Sequence, residues 1–153
     1  MATEIERKFL LTTADWRPFV VRSYPIRQAY LSDNPEATVR VRVKADRAFL
    51  TVKGINRGIS RAEWEYEIPV ADADEMAERL AGGWTISKTR HIVEAPDGLC
   101  WEIDEFHGRH APLILAEIEL PTATTPLPPC PFTLGTDVST DPRYYNSTLA
   151  KTR

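Results

Sequence analysis

The chain is poor in the residues from which many familiar enzyme sites are made. It has two cysteines in 153 residues, Cys100 and Cys130, too far apart for a shared metal, and in a cytosolic chain such a pair reads as reduced thiols. There is no Gly-rich phosphate loop and no Ser/His/Asp or Cys/His constellation, so any phosphate must be gripped by side chains. Basic excess is missing too. A net charge of -3 excludes a broad nucleic-acid surface and leaves any anionic partner to be met locally. No apolar run approaches the roughly 20 residues needed to span a bilayer. The N-terminus, Met1 to Lys8, carries acids where a signal peptide needs a basic start and an apolar stretch, so a cytoplasmic location is expected. The length suits one domain, 1–153.

What the sequence does have is alternation. Thr3 to Leu11 sets Glu4, Glu6, Lys8 and Leu10 against Ile5, Arg7, Phe9 and Leu11, the period of two that a strand gives. Ala37 to Lys44 repeats it, with Thr38, Arg40, Arg42 and Lys44 opposite Val39, Val41 and Val43. The spacing predicts further strands over 47–53, 61–70, 84–95, 99–106 and 113–120, with Gln28 to Leu31 as one more. Pro96-Asp97-Gly98 reads as a turn and Pro121 to Pro131 as a surface loop. Helix formers over 71–81 end at Gly82-Gly83, and 141–151 is read as a short C-terminal helix. About eight strands joined mainly by hairpins favour an antiparallel barrel or sandwich.

The polar faces carry chemistry because their signs are segregated by strand. Glu63/Glu65/Glu67, Glu102/Asp104 and Glu117/Glu119 are acidic rows; Arg40/Arg42/Lys44 and Lys88/Arg90 are basic; Glu4/Glu6/Lys8 joins both kinds. Carboxylates two apart on a strand lie about 7 Å from each other and repel by roughly 2 kcal/mol at an effective dielectric near 20. A solvated sheet face accounts for each strand alone, but a repeated penalty calls for a reason. Divalent cations supply one, since hard ions such as Mg²⁺ take carboxylate oxygens and share phosphate oxygens with a substrate, while the basic rows take the remaining phosphate charge. Enclosure would strengthen both, which would place the charged faces inside and the aliphatic faces outside.

Several conspicuous residues have plainer readings. His107 and His110 form an H-x-x-H without a third ligand nearby and read as a loop. His91 falls on the outward face. Trp16, Trp64, Trp84 and Trp101 read as core or barrel-to-helix contacts.

Glu4-Ile5-Glu6-Arg7-Lys8 is the Glu-x-Glu-x-Lys pattern of the CYTH superfamily, the triphosphate tunnel metalloenzymes. The ordered continuation makes the likeness specific: Val39-Arg40-Val41-Arg42, Leu50-Thr51-Val52-Lys53, Ser60-Arg61-Ala62-Glu63-Trp64-Glu65, Ser87-Lys88-Thr89-Arg90, Trp101-Glu102-Ile103-Asp104, Ala116-Glu117-Ile118-Glu119 and Asp141-Pro142-Arg143-Tyr144. Together these cover nearly the whole chain, which resembles the family's small bacterial members. The resemblance implies a mainly β, eight-stranded antiparallel closed barrel with a charged lumen and a few flanking helices. It implies Glu4, Glu6, Glu117 and Glu119 as metal ligands, with Glu102 and Asp104 among the lumen acids that serve a metal. Lys8, Arg40, Arg42, Lys53, Lys88 and Arg90 are implied to hold phosphate. Lys88, Glu63 and Glu65 are the residues expected to act on the reacting group. Lys44 and Glu67 are expected at a tunnel mouth, and contacts from Arg143, Tyr145 and Ser147 are left open.

A family member of this kind hydrolyses or cyclises a triphosphate with Mg²⁺ or Mn²⁺. The short chain leaves little room for nucleoside recognition, which favours inorganic triphosphate over thiamine or nucleoside triphosphates and over adenylyl cyclase chemistry. A non-catalytic polyphosphate-binding module is the other class, but anion binding alone gains nothing from carboxylates unless a metal intervenes. The expected partner is thus a small triphosphate, without nucleic acid or membrane, and the aliphatic outer faces suit a homodimer.

Overall fold

In the computed structural model, which describes residues 2–32 and 34–152, the alternating segments form one closed sheet. The strands are β1 (Ala2–Leu10), β2 (Arg22–Tyr30), β3 (Thr38–Lys44), β4 (Arg47–Lys53), β5 (Ser60–Ile68), β6 (Thr85–Glu94), β7 (Cys100–Phe106) and β8 (Ile114–Glu119). Helix α1 (Val70–Leu80) lies between β5 and β6, and α2 (Asn146–Lys151) ends the described chain. The order around the barrel is β1-β5-β4-β3-β2-β6-β7-β8, every neighbour antiparallel, with β8 closing back on β1. Closure leaves no unpaired edge. β1 makes this possible by changing partner midway: Ala2 to Ile5 pair with β5, and Glu6 to Leu10 pair with β8.

Two elements differ from the sequence expectation. β2 starts six residues earlier than Gln28 and runs through Pro25. Proline has no N–H to give a ladder, but Pro25 faces the side on which β3 has just ended. There its carbonyl accepts from Ala45 and no donor is required. The C-terminal segment is not one helix. A 3-10 turn, Pro142–Tyr144, is capped by the Asp141 carboxylate accepting from the Arg143 N–H; Tyr145 is extended at ψ 136°, and only then does α2 begin.

The barrel is inverted as the alternation implies, with its dry side outside. Ala73, Met76 and Ala77 of α1 cover Val41, Val43, Ala48 and Leu50 on β3 and β4. Elsewhere, chain without regular structure does the covering. Trp16, Leu127, Cys130 and Phe132 pack over Phe9, Val93, Trp101, Ile103, Ala116 and Ile118. The Pro-rich loop is therefore a strap on the barrel wall, and the aliphatic faces that would suit a homodimer are largely covered from within the chain. Trp16 and Trp101 are fully buried, whereas Trp64 stands exposed on the outside of β5. A third cluster closes one end of the lumen, where Tyr30, Ile86, Phe106 and Leu115 meet Val138, Leu149 and Ala150. Among the described residues no helix is long and apolar enough to cross a membrane.

Candidate active site

The strand register brings the charged rows together. Lys53 pairs with Glu63, Thr51 with Glu65, Arg90 with Asp104 and Lys8 with Glu117. Each of these couples an acidic row to a donor from its neighbour, so most of the repulsion inferred within a strand is offset across the strands. Two pairings set acid against acid: Glu6 faces Glu119, and Glu102 faces Glu117, the second bridged by Arg90 at 2.9 and 3.8 Å.

The basic side is deep in the barrel. Lys8, Arg40, Lys88 and Arg90 are buried, and Arg42 and Lys53 half-buried. Lys88 donates to Asp104 Oδ2 at 2.7 Å. Arg90 donates to Asp104 through Nε at 2.8 Å and Nη2 at 2.9 Å, and to Glu102 through Nη1 at 2.9 Å. Asp104 is thereby held far below the usual carboxylate range by Arg90 and Lys88, in spite of burial. Asp104 and Glu102, placed among the metal-serving acids on sequence, here aim Lys88 and Arg90. Burial pushes Lys88 down to about 7, against Asp104 and helped by Arg90 and Arg42.

Arg42 differs from the rest. Its Nε donates to Gln28 Oε1 at 2.9 Å, and among the described residues it has no carboxylate partner. Burial, with Arg40 and Arg90 close by, brings it down to about 10. Arg40 donates to Thr51 Oγ1 at 3.3 Å and lies 3.6 Å from Glu65, yet its Nε is buried without a partner. Cations crowded together with donors to spare constitute an anion site.

The acids of β1 and β5 face the same space. Lys53 Nζ donates to both Glu4 oxygens at 2.9 Å and lies 3.5 Å from Glu63. Burial alone would raise Glu4, but the charge of Lys53 and hydrogen bonds from Glu63 and Lys53 pull it to about 2. Glu63, half-buried and sharing that hydrogen bond with Glu4, rises to about 7, through desolvation first. Glu65 accepts from the Thr51 hydroxyl at 2.7 Å. Glu6 is half-buried in the lumen, and desolvation there, with Glu117 and Glu4 close by, pushes it up to about 8. Glu119, at the exposed end of β8, is also raised, first by burial and then by Glu4.

A cavity opens among these groups, bounded by Glu4, Glu6, Lys8, Arg40, Lys53 and Arg61. The loop between β4 and β5 lines it at Asn56 and Gly58, and Tyr145 to Ser147 line it from the C-terminal side. Lys44, beside the Tyr24 ring, and Glu67, paired with exposed Arg47, lie at the opposite strand ends. Arg143 does not reach the lumen: its exposed side chain is held on Asp141. Thr51, Arg61 and Gln28 are lumen residues that the sequence reading did not assign. Thr51 and Arg61 share the parity of Lys53 and Glu63, so the signal was there. Gln28 lay in a strand only partly recognised. The backbone carbonyl of Tyr144, which accepts from Lys8 Nζ at 3.0 Å, left no sequence signal at all.

The donor set fits a hard divalent cation. Glu117 Oε1 is buried with no hydrogen-bond partner, its ion-pair contact with Lys8 Nζ being 3.4 Å long, and Glu6 is forced toward its protonated form by burial and by Glu117 and Glu4. Among the described residues no three carboxylate, His or Cys groups are already gathered around a point. Glu6, Glu117, Glu119 and Glu4 offer one to two oxygens each, the partial shell that Mg²⁺-type ions complete with water and phosphate oxygens.

A closed antiparallel barrel that turns its charges inward, with acidic and basic rows meeting across one cavity, belongs to the class of tunnels suited to a polyanion and a metal. The model of the CYTH domain family matches residues 2–145, and the chain belongs to that family. It is 42% identical over 151 residues to the inorganic triphosphatase of Acetivibrio thermocellus, covering 99% of this chain and 95% of that one. To the inorganic triphosphatase of Nitrosomonas europaea it is 37% identical over 152 residues, covering 97% of each. The crystal structure of the inorganic triphosphatase NE1496 superposes with a TM-score of 0.67 at 33% identity, covering 100% of this chain and 97% of that one.

Proposed function

We propose that the chain hydrolyses inorganic triphosphate to pyrophosphate and orthophosphate inside the barrel, with Mg²⁺ or Mn²⁺ held by Glu4, Glu6, Glu117 and Glu119. The observation that carries this reading is the cavity where the Glu6 carboxyl, raised by burial and by neighbouring carboxylates, stands across from Lys8, Lys53 and Arg40, the last with its Nε still unpartnered. Its near full-length likeness to triphosphatases supports the substrate.

A bound divalent cation supplies charge neutralisation on the phosphate oxygens and replaces the proton that Glu6 otherwise keeps. The side chains do the rest. Lys8, Arg40, Arg42 and Lys53 hold non-bridging oxygens and fix the chain in line for attack. As a water oxygen bonds to the terminal phosphorus and the bridging P–O bond breaks, the leaving pyrophosphate gathers negative charge. Lys88 and Arg90, already aimed by Asp104, meet that charge without reorganising. The proton of the water passes to Glu63, whose value near 7 suits a base at neutral pH. Glu65, fixed by Thr51, orients the water.

Product analysis tests this. Purified protein incubated with tripolyphosphate, ATP or thiamine triphosphate, with and without Mg²⁺, should release phosphate from tripolyphosphate well above the others and only with metal. Comparable rates on ATP, or cyclic AMP as product, would overturn the assignment.

A further inference from the structure

The His107–His110 segment makes a 3-10 turn at Gly108–His110 between β7 and β8 and takes no part in lining the cavity. Its side chains reach α2 instead. Arg109 Nε donates to the Thr152 carbonyl at 2.9 Å, while Nη2 lies 2.6 Å from the Ala150 carbonyl, 3.1 Å from that of Thr85 and 3.2 Å from that of Gly83. His110 Nε2 sits 2.6 Å from the Leu149 carbonyl. The last carbonyls of any helix lack intrahelical donors. Here one planar guanidinium satisfies several of them and ties them to the entry of β6, a geometry that a lysine ammonium cannot span equally well.

The other end of α2 is at the site. Tyr145, Asn146 and Ser147 line the cavity, and Asn146 Oδ1 is buried there without a hydrogen-bond partner. Just before them, the Tyr144 carbonyl accepts from Lys8 Nζ. Between the two ends, Leu149 and Ala150 are buried against the apolar end of the lumen. The helix is only about 9 Å long, so a displacement of its clamped end is transmitted to the cavity wall almost undiminished.

We propose that Arg109 is a positioning residue for substrate binding: through α2 it sets where Tyr145–Ser147 and the Lys8 ammonium stand on the cavity wall. This rests on the reading of the lumen as a triphosphate site. Because Arg109 is exposed, replacing it leaves the barrel core intact.

The test compares wild type, Arg109→Ala, Arg109→Lys and, as a surface control, Arg79→Ala. Kinetics on tripolyphosphate with Mg²⁺ are read alongside tripolyphosphate binding by calorimetry, melting temperature and amide hydrogen exchange over 146–152. Arg109→Ala should raise KM and Kd by roughly tenfold while kcat changes less than about twofold, the split expected when ground-state and transition-state binding are lost together. Exchange at Leu149 and Thr152 should quicken, Arg109→Lys should recover part of the loss, and Arg79→Ala should match wild type. An active enzyme whose KM and Kd ignore Arg109→Ala, or whose KM rises without any change in α2 exchange, overturns the clamp alone. Wild-type protein that neither binds nor cleaves tripolyphosphate overturns the triphosphatase reading, and the clamp's role with it.

Discussion

The crowding of carboxylates around Glu6 makes a prediction that runs against the usual effect of altering a buried residue. In metal-free protein, Glu6→Gln should stabilise the fold at alkaline pH. Burial, Glu117 and Glu4 raise the Glu6 carboxyl from 4.5 to about 8, so the folded state holds a proton that the unfolded chain has released. For a group raised on folding, the stability it contributes is fully present below about 4.5 and is lost as pH rises through about 8. That displacement corresponds to roughly 5 kcal/mol against the ionised form at about 1.4 kcal/mol per pH unit. Water reaching this partly exposed side chain trims it to about 2–4 kcal/mol. Gln keeps the shape and never ionises. Urea unfolding in EDTA should therefore give nearly equal stabilities at about pH 5, with the variant ahead by about 2–4 kcal/mol at about pH 9. Mg²⁺ at about a hundred times its Kd should then close most of that gap, adding about 2.7 kcal/mol to wild type and clearly less to the variant. A variant no more stable than wild type at the higher pH, or equally advantaged at both, would refute the picture of Glu6 as a carboxylate waiting for a cation.

The two kinds of lumen cation should separate under alanine substitution. Arg42→Ala removes a cation crowded by Arg40 and Arg90 and paired with no described carboxylate, so urea midpoints should hold or rise while KM for tripolyphosphate increases roughly tenfold. Lys88→Ala instead leaves Asp104 fully buried with one partner fewer, and it should cost about 3 kcal/mol of stability as well as about 100-fold in kcat. Glu63→Gln should lower kcat with little change in substrate Kd and abolish the rise of kcat through about pH 7, the value at which Glu63 loses its proton; an unchanged pH profile would remove Glu63 from the proton transfer.

Which strands exist, and which of their faces is charged, could be read directly from alternation. β3, with Arg40 and Arg42 set against three valines, shows why: two-residue periodicity is local, and a chain with that period satisfies both faces only as a strand. β2 escaped because Pro25 breaks the propensity signal, and only the point at which β3 ends makes a proline harmless there. The C-terminal segment differs from one helix because Asp141 caps a 3-10 turn, and the extended Tyr145 separates that turn from α2.

The sites divide in the same way. Residue type and parity by themselves determined that Glu4, Glu6, Lys8, Arg40, Arg42, Lys53, Glu63, Lys88 and Glu117 each stand on the charged face of their strand, since a strand sends every second side chain the same way; closure of the sheet made those faces one enclosed space. Tertiary structure alone decided which acid meets which base. Asp104 is neutralised by Lys88 and Arg90, Glu4 by Lys53 and Glu117 by Lys8 and Arg90, while Glu6 is left facing other carboxylates. Those outcomes depend on cross-strand register and on loops folding back over the barrel end, and Coulomb energies at a few ångströms are set by distances that no single strand contains.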